Sequence, residues 1–236
     1  MKNKIDIAKD KSLLLKGGKI LDVTNGKATN KDILINNGKI VEIGKIDNND
    51  NYHIIDCKNN IITQSFIDIH SHFHTPGIGD QETLISGSNA ALSGGYSRVC
   101  VMPNASPIID TPELVDFIID ESTKLPIDIY PIGSITKKLE GIELAEVGSM
   151  VNSGAVAISD ADFPVMNGQV MRYALEYARM FNVPVINHPQ DINLVNNGTM
   201  HESAISNSLG LEGNPSIAES IMINRDLEIA NYVKGK

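Results

Sequence analysis

Short apolar runs separated by turn residues fill the first part of the chain. The runs cover residues 13–15, 20–23, 32–35 and 39–44. Asn25-Gly26 and Asn37-Gly38 lie between successive runs, and Asn-Gly in that position is the strongest short-range signal for a β-hairpin. The pattern predicts a small antiparallel β unit over residues 1–63.

From residue 64 onward, predicted strands alternate with predicted helices. The strands cover residues 66–69, 97–102, 127–133, 155–159 and 184–188. The helices cover residues 82–93, 142–152 and 171–181, a segment that starts at Pro112 after a Thr111 cap, and a last one from Pro215 to about Val233 after an Asn214 cap. This alternation favours a parallel sheet, either in a (β/α) barrel or in a doubly wound fold.

Two histidines one residue apart, His70 and His72, come at the end of the first of these strands. Alternate strand residues point to the same side, so both side chains can hold one metal ion, and neutral imidazole suits zinc. Polar residues with ligand chemistry also follow the later strands: Asn104, Asp160, Asp162 and His188. The carboxyl edge of a parallel sheet carries the active site in either fold, although the two aspartates could instead serve as turn formers.

The composition excludes several classes of function. The 236 residues carry a formal net charge of -9 with no basic stripe, which argues against nucleic-acid binding. The amino-terminal residues lack the apolar core of a signal peptide, and no apolar run is long enough to span a membrane. Cys57 and Cys100 are far apart in sequence, which favours free thiols in a reducing compartment, so we expect a cytoplasmic protein.

Several motifs resemble the amidohydrolase superfamily, and within it the bacterial dihydroorotases that form complexes with aspartate transcarbamoylase. The matching segments are Ile67-Asp68-Ile69-His70-Ser71-His72, Thr75-Pro76-Gly77, Ala90-Ala91-Leu92-Ser93-Gly94-Gly95-Tyr96, Val101-Met102-Pro103-Asn104, Gly133-Ser134-Ile135-Thr136 and Asn187-His188-Pro189-Gln190-Asp191. The resemblance implies an α/β fold in which a small β-sandwich unit, residues 1–63, precedes a (β/α) TIM-like barrel of the metal-dependent hydrolase type, residues 64–236.

The resemblance also implies a function. It implies one or two zinc ions held by His70, His72 and His188, and a substrate carboxylate bound by Asn104. The implied reaction is the reversible closure of N-carbamoyl-L-aspartate to dihydroorotate in pyrimidine biosynthesis, with the metal activating a hydroxide. A small-molecule substrate, an oligomeric state and an aspartate transcarbamoylase partner follow from the same resemblance.

Two positions depart from the family pattern. His74 stands where the family places an arginine that grips the substrate carboxylate, so we expect His74 to contact substrate without replacing the arginine fork. Ala161 stands where the family places the aspartate that bridges two metals, so either Asp160 or Asp162 would have to replace it. These departures leave two alternatives open: a non-catalytic scaffold subunit of aspartate transcarbamoylase, or an allantoinase or hydantoinase relative.

The number of strands is a third departure. A closed barrel needs eight strands and roughly 250 residues, whereas residues 64–236 supply about five strands. The family's last histidine ligand and its aspartate base lie after the fifth strand, so we expect no catalytic base within this chain. We therefore predict a partial barrel with unpaired edges at strand 184–188 and at the first strand, and with its apolar inner face open to water. We also predict no turnover by residues 1–236 alone, and association or marginal stability.

Overall fold

A computed structural model of the chain describes residues 12–77, 82–195 and 198–236. The chain divides into two compact units, of which the first ends at Ser65 and the second spans Phe66–Lys236. Within the described residues, no helix is both long enough and apolar enough to cross a membrane.

From residue 12 onward, where its description begins, the first unit forms a mixed five-stranded sheet. Its strands are β1 (Ser12–Asp22), β2 (Lys27–Asn36), β3 (Lys39–Gly44), β4 (Tyr52–Asp56) and β5 (Ile61–Ile62). The spatial order is β3-β2-β1-β4, and β5 also pairs with β1. The two predicted hairpins are confirmed, with Gly26 and Gly38 at positive φ in their turns. The prediction of a purely antiparallel unit is wrong, because β4 and β5 both run parallel to β1.

A buried carboxylate fastens the middle of this sheet. Asp32 accepts hydrogen bonds from the backbone N–H groups of Gly17, at 2.8 Å, and Ile46, at 3.0 Å, and its Oδ2 lies 3.1 Å from the Lys16 Nζ. Gly17 has a φ of +73° where the β1–β2 register shifts, a conformation that glycine adopts without steric cost. The hydrogen bond from Ile46 is the main reason that the pKa of Asp32 lies below its ordinary value.

The second unit is built on parallel strands whose spatial order follows the sequence. Strands β6 (Phe66–Ser71), β7 (Tyr96–Val101) and β8 (Asp128–Pro131) form one parallel sheet, and β9 (Ile158–Ser159) pairs with β10 (Val185–Ile186). A parallel bridge between Gly133 and Ile158 joins the two groups, and the Ser159 N–H donates to the Gly133 carbonyl at 2.9 Å. The predicted succession of parallel strands is therefore confirmed within the described residues.

Among its described residues, the second unit also contains six α-helices, a short 3-10 helix (Lys137–Leu139) and two further short strands. The helices are α1 (Leu84–Ser93), α2 (Pro112–Ser122), α3 (Val147–Asn152), α4 (Gly168–Met180), α5 (Ala204–Leu209) and α6 (Ile217–Val233); β11 (Met200–His201) pairs in parallel with β12 (Gly213–Asn214). Helix α3 starts five residues later than predicted, because residues 143–145 bond to the segment after β8 instead. Ser216, not Asn214, stands at the N-cap of α6, since Asn214 belongs to β12.

The two faces of β7 point into different apolar clusters. Val99 and Val101 pack into the large cluster that includes buried residues of α2, while Met102, just past the strand, packs with Ile132 and Ala157 on the other face. The predicted apolar stripe of α4 is confirmed, and the Arg225 guanidinium of α6 donates to the carbonyls of the loop before α4 at 2.8 Å.

The two outer strands agree only in part with the predicted unpaired edges. Phe66, Ile67 and Ile69 of β6 are 52 %, 54 % and 65 % exposed, and β6 is the end strand of its sheet, as predicted for the first strand. At the other end, the Val185 N–H of β10 donates to the Lys236 carbonyl at 3.0 Å. The edge of β10 is thus partly paired rather than wholly unpaired.

Candidate metal centre

The two histidines lie where β6 ends. Their ring centroids are 5.1 Å apart, with His70 exposed and His72 half-buried. The Asp68 side chain accepts a hydrogen bond from the His70 N–H at 2.9 Å, and the Met102 N–H donates to the Ser71 carbonyl at 2.9 Å. These bonds fix the strand end that carries both imidazoles, and the predicted projection of His70 and His72 to one site agrees with this geometry.

Asn104, in the loop after β7, orients the His72 ring. The Asn104 Oδ1 lies 2.8 Å from the His72 Nδ1. An amide oxygen only accepts, so the Nδ1 carries the proton and the Nε2 keeps its lone pair for a metal ion. The Nδ2 group of Asn104 retains its two donors, which a substrate carboxylate could accept.

Asp162 is the carboxylate that joins the histidines. Ligand atoms of His70, His72 and Asp162 all lie within 4.8 Å of one another, a spacing that one divalent ion can span. Two imidazoles and one carboxylate form a donor set typical of catalytic zinc sites, which keep a further position for water or substrate. The residues at the carboxyl edge of the sheet therefore fit a metal ion.

Asp160 is not brought to this group, although the sequence made it an equal candidate. Its Oδ1 accepts from the N–H groups of Ile135, at 2.8 Å, and Thr136, at 2.9 Å, and its Oδ2 accepts from the Thr136 hydroxyl. The side chain is 1 % exposed, and this burial raises the pKa of Asp160 against the lowering effect of its hydrogen bonds. Both oxygens are engaged by the segment after β8, so Asp160 holds the backbone rather than a metal.

His188 and His74 also lie outside the group of three. His188 follows β10 and is half-buried, and its role as a ligand stays a prediction. His74 follows the His70–His72 segment, and its N–H donates to the Glu82 carbonyl at 2.9 Å. The His74 Nδ1 is buried and has no hydrogen-bond partner among the described residues, so its role in substrate binding likewise stays a prediction.

Close packing supports the loop that follows the histidines. An added Cβ at Gly87 of α1 would lie 2.5–2.7 Å from three ring atoms of Phe73, so only glycine lets the helix rest on this ring. An added Cβ at Gly77, whose φ is +155°, would lie 2.9 Å from the His74 carbonyl oxygen. The Ser106 N–H donates to the Pro76 carbonyl at 3.0 Å and ties this loop to the one that carries Asn104.

Two site features were missed by the sequence reasoning. The hydrogen bond between His72 and Asn104 joins residues 32 positions apart, and only the parallel order of β6 and β7 could have suggested it. The hydrogen bonds between Asp160 and the segment Ile135-Thr136 join residues 24 and 25 positions apart, and the sequence carries no signal that pairs them.

The fold is shared with solved structures of hydantoinases, which defines the class. L-Hydantoinase (dihydropyrimidinase) from Arthrobacter aurescens superposes with a TM-score of 0.72 over 94 % of this chain and 51 % of its own, at 17 % identity. D-Hydantoinase from Thermus sp. gives 0.69 over 95 % and 51 %, at 20 % identity. Over most of its length the chain thus shares the α/β fold of these two solved structures.

Comparison of sequences narrows the class to a family. Residues 59–234 match the model of the dihydro-orotase-like family, and the chain belongs to that family. It is 42 % identical over 218 residues to the dihydroorotase of Pelotomaculum thermopropionicum, which covers 92 % of this chain and 51 % of that protein. Identity to the dihydroorotase of Ruminiclostridium cellulolyticum is 40 % over 223 residues, with coverages of 94 % and 52 %. The chain spans about half the length of these relatives. The resemblance to dihydroorotases inferred from the motifs is confirmed.

Proposed function

We propose that the protein is of the dihydroorotase type, a class of metal-dependent cyclic amide hydrolases that interconvert N-carbamoyl-L-aspartate and dihydroorotate in pyrimidine biosynthesis, and that residues 1–236 alone bind metal and substrate without turnover. The observation that carries this proposal is the group formed by His70, His72 and Asp162 at the carboxyl edge of the sheet. The family membership supports the choice of substrate. We propose zinc as the ion, because two imidazoles and a carboxylate match its preference.

The residues around the group have separable tasks in this proposal. A bound zinc ion would supply Lewis acidity and an activated water. Asn104 holds the His72 Nδ1 proton through its oxygen, and its amide group is available to donate to a substrate carboxylate. His74 offers a buried Nδ1 with no partner among the described residues, which supports a role in contacting the same carboxylate. We assign no residue as the general base.

The proposal also covers the domain architecture, the cellular location and the oligomeric state. We propose that residues 1–63 form part of a small β-sandwich domain and that residues 64–236 form part of a (β/α) barrel, with the sequential parallel order of β6 to β10 in support. We also propose a cytoplasmic, oligomeric protein.

A second candidate is a non-catalytic subunit that supports aspartate transcarbamoylase. Two residues favour it: His74, where the family has an arginine, and Ala161, where the family has an aspartate. The spatial group that contains Asp162 favours the enzyme, because it supplies a carboxylate to the histidines despite Ala161. The two candidates differ in whether a metal ion and a substrate bind.

Metal and ligand titrations on the 236-residue protein test the proposed function. We expect one tightly held zinc ion per chain, measured by competition with a chromogenic chelator, and its loss in His72→Ala. Calorimetry on the zinc-loaded protein should show binding of dihydroorotate and N-carbamoyl-L-aspartate in preference to hydantoin. Failure to retain zinc would refute the enzyme and favour the scaffold, and a preference for hydantoin would favour the hydantoinase relative. Absence of turnover by this polypeptide stays a separate prediction, checked by assaying both reaction directions.

A further inference from the structure

The turn after β9 decides which aspartate reaches the histidines. In a regular strand, Asp160 and Asp162 would point to the same side. The chain turns instead, since the Phe163 N–H donates to the Asp160 carbonyl at 3.0 Å and closes a four-residue turn with Ala161 and Asp162 at its centre. The Asp160 carboxylate consequently contacts the segment after β8, whereas the Asp162 carboxylate lies near the two histidines.

Ala161 holds an uncommon backbone conformation within this turn. Its φ is +52°, in the left-handed region that costs a residue with a Cβ roughly 1–2 kcal/mol. Ala161 is also 1 % exposed and packs with Met102 and Ile132, and its N–H donates to the Ser159 hydroxyl at 3.0 Å. Such a conformation persists only where the surroundings determine it.

Hydrogen bonds of the neighbouring Asp160 fix the conformation of Ala161. Asp160 is buried at the start of the turn, and three donors from Ile135 and Thr136 hold its carboxylate. Thr136 is itself fixed, because its hydroxyl accepts from the Gly141 N–H at 2.9 Å. The first residue of the turn is therefore anchored to the segment after β8, and the direction of the chain beyond it depends on Ala161.

We propose that Asp160 and Ala161 are positioning residues that turn the Asp162 carboxylate onto His70 and His72. Asp160 is not a ligand; it clamps the turn, and the left-handed Ala161 rotates the next side chain toward the histidines. The inference rests on the proposed function, since it concerns the same metal group. It explains how the site keeps a carboxylate although alanine occupies the family's aspartate position.

Cobalt(II) binding tests this proposal, because the visible spectrum reports the ligand set without any turnover. Asp162→Ala should lower the affinity for cobalt at least tenfold and change the spectrum, as expected for a lost ligand. Asp160→Ala should lower the affinity by a similar factor, whereas Asp160→Asn should recover part of the loss, since an amide oxygen can still accept from Ile135 and Thr136. Ala161→Gly should bind as the wild type does, because glycine adopts positive φ freely.

Ala161→Val and a matched control separate positioning from general damage. Valine is strongly disfavoured at positive φ, so we expect weaker cobalt binding in the folded protein, verified by circular dichroism. Asn182→Val imposes the same strain at a φ of +60°, in the exposed turn between α4 and β10, and should leave cobalt binding unchanged.

The outcomes distinguish this inference from the proposed function. Wild-type protein that binds no cobalt, or binds it equally well in His72→Ala, would refute the metal centre itself. If cobalt binding depends on His72 and Asp162 but stays within threefold of wild type in both Asp160→Ala and Ala161→Val, the positioning role is wrong. Equal weakening by Asn182→Val and Ala161→Val would also overturn it, since the loss would then reflect stability alone.

Discussion

Replacing Gly87 by alanine should destabilise the protein, although the same change usually strengthens a helix. Gly87 lies inside α1, where alanine is favoured over glycine by about 1 kcal/mol. The new Cβ would lie 2.5, 2.6 and 2.7 Å from three ring carbons of Phe73, against an optimal carbon–carbon separation of about 3.5–4.0 Å. The ring would have to move by roughly 1 Å.

The expected magnitude follows from two opposing effects. Phe73 packs against the large core cluster, so its ring cannot move without disturbing buried neighbours, and overpacking of this kind costs about 1–3 kcal/mol. Subtracting the gain in helix propensity leaves a net loss of up to about 2 kcal/mol in the free energy of unfolding. Because Phe73 lies between His72 and His74, we also expect zinc affinity to fall roughly tenfold.

Urea unfolding and zinc competition provide the assay, with Gly168→Ala as matched control. Gly168 is the first residue of α4, and an added Cβ there would meet only the Ile229 Cδ1, at 3.9 Å. This control should be neutral or stabilising. Phe73→Leu in the Gly87→Ala background should restore part of the lost stability, because a smaller side chain relieves the overlap. Equal stability and zinc affinity in Gly87→Ala and Gly168→Ala would refute the reasoning.

Three further outcomes are expected. Asp32→Asn should lower the free energy of unfolding by about 2 kcal/mol at neutral pH. Because folding lowers the pKa of Asp32, its stabilising contribution is present above the unfolded pKa of about 3.9 and is lost as the pH falls through the folded pKa. The unfolding free energy of the variant should therefore vary less between pH 3 and pH 6 than that of the wild type. Asn104→Ala should weaken zinc binding about tenfold in a competition titration, because His72 loses the acceptor that fixes its tautomer, and unchanged affinity would contradict this. Arg225→Ala should lower the free energy of unfolding in urea by about 2–3 kcal/mol, because it leaves two backbone carbonyls unpaired. Arg172→Ala removes an exposed ion pair and should lower it by less than about 1 kcal/mol. Equal losses of stability in the two variants would contradict the difference in burial.

The fold was predictable where its signals are local. Asn25-Gly26 and Asn37-Gly38 specify hairpins by turn chemistry, and the spacing of Met171, Ala174 and Leu175 specifies the buried face of α4. The parallel pairing of β4 and β5 with β1 was not predictable in the same way. An apolar run indicates a strand but not its partner, and these partners are about 40 residues apart.

The candidate site was likewise predictable only where the signal in the sequence is local. His70 and His72 were identified because strand alternation places residues i and i+2 together. The same rule could not separate Asp160 from Asp162, because β9 is only two residues long and the positive φ of Ala161 breaks the alternation. Backbone conformation in a turn depends on the burial and hydrogen bonds around it, which the sequence alone does not display.

The central position of β1 has a consequence for folding during synthesis. The β1–β2 hairpin can close within microseconds once Asn36 is available, because its strands are adjacent in the chain. The other edge of β1 must await Tyr52–Asp56 and Ile61–Ile62, and the 25 residues from Asn37 to Ile61 take about 1–5 s to translate. During that interval the nascent chain presents an unpaired strand edge to other chains, a state prone to aggregation. Slower translation before Ile61 would lengthen this exposure and should lower the yield of native protein.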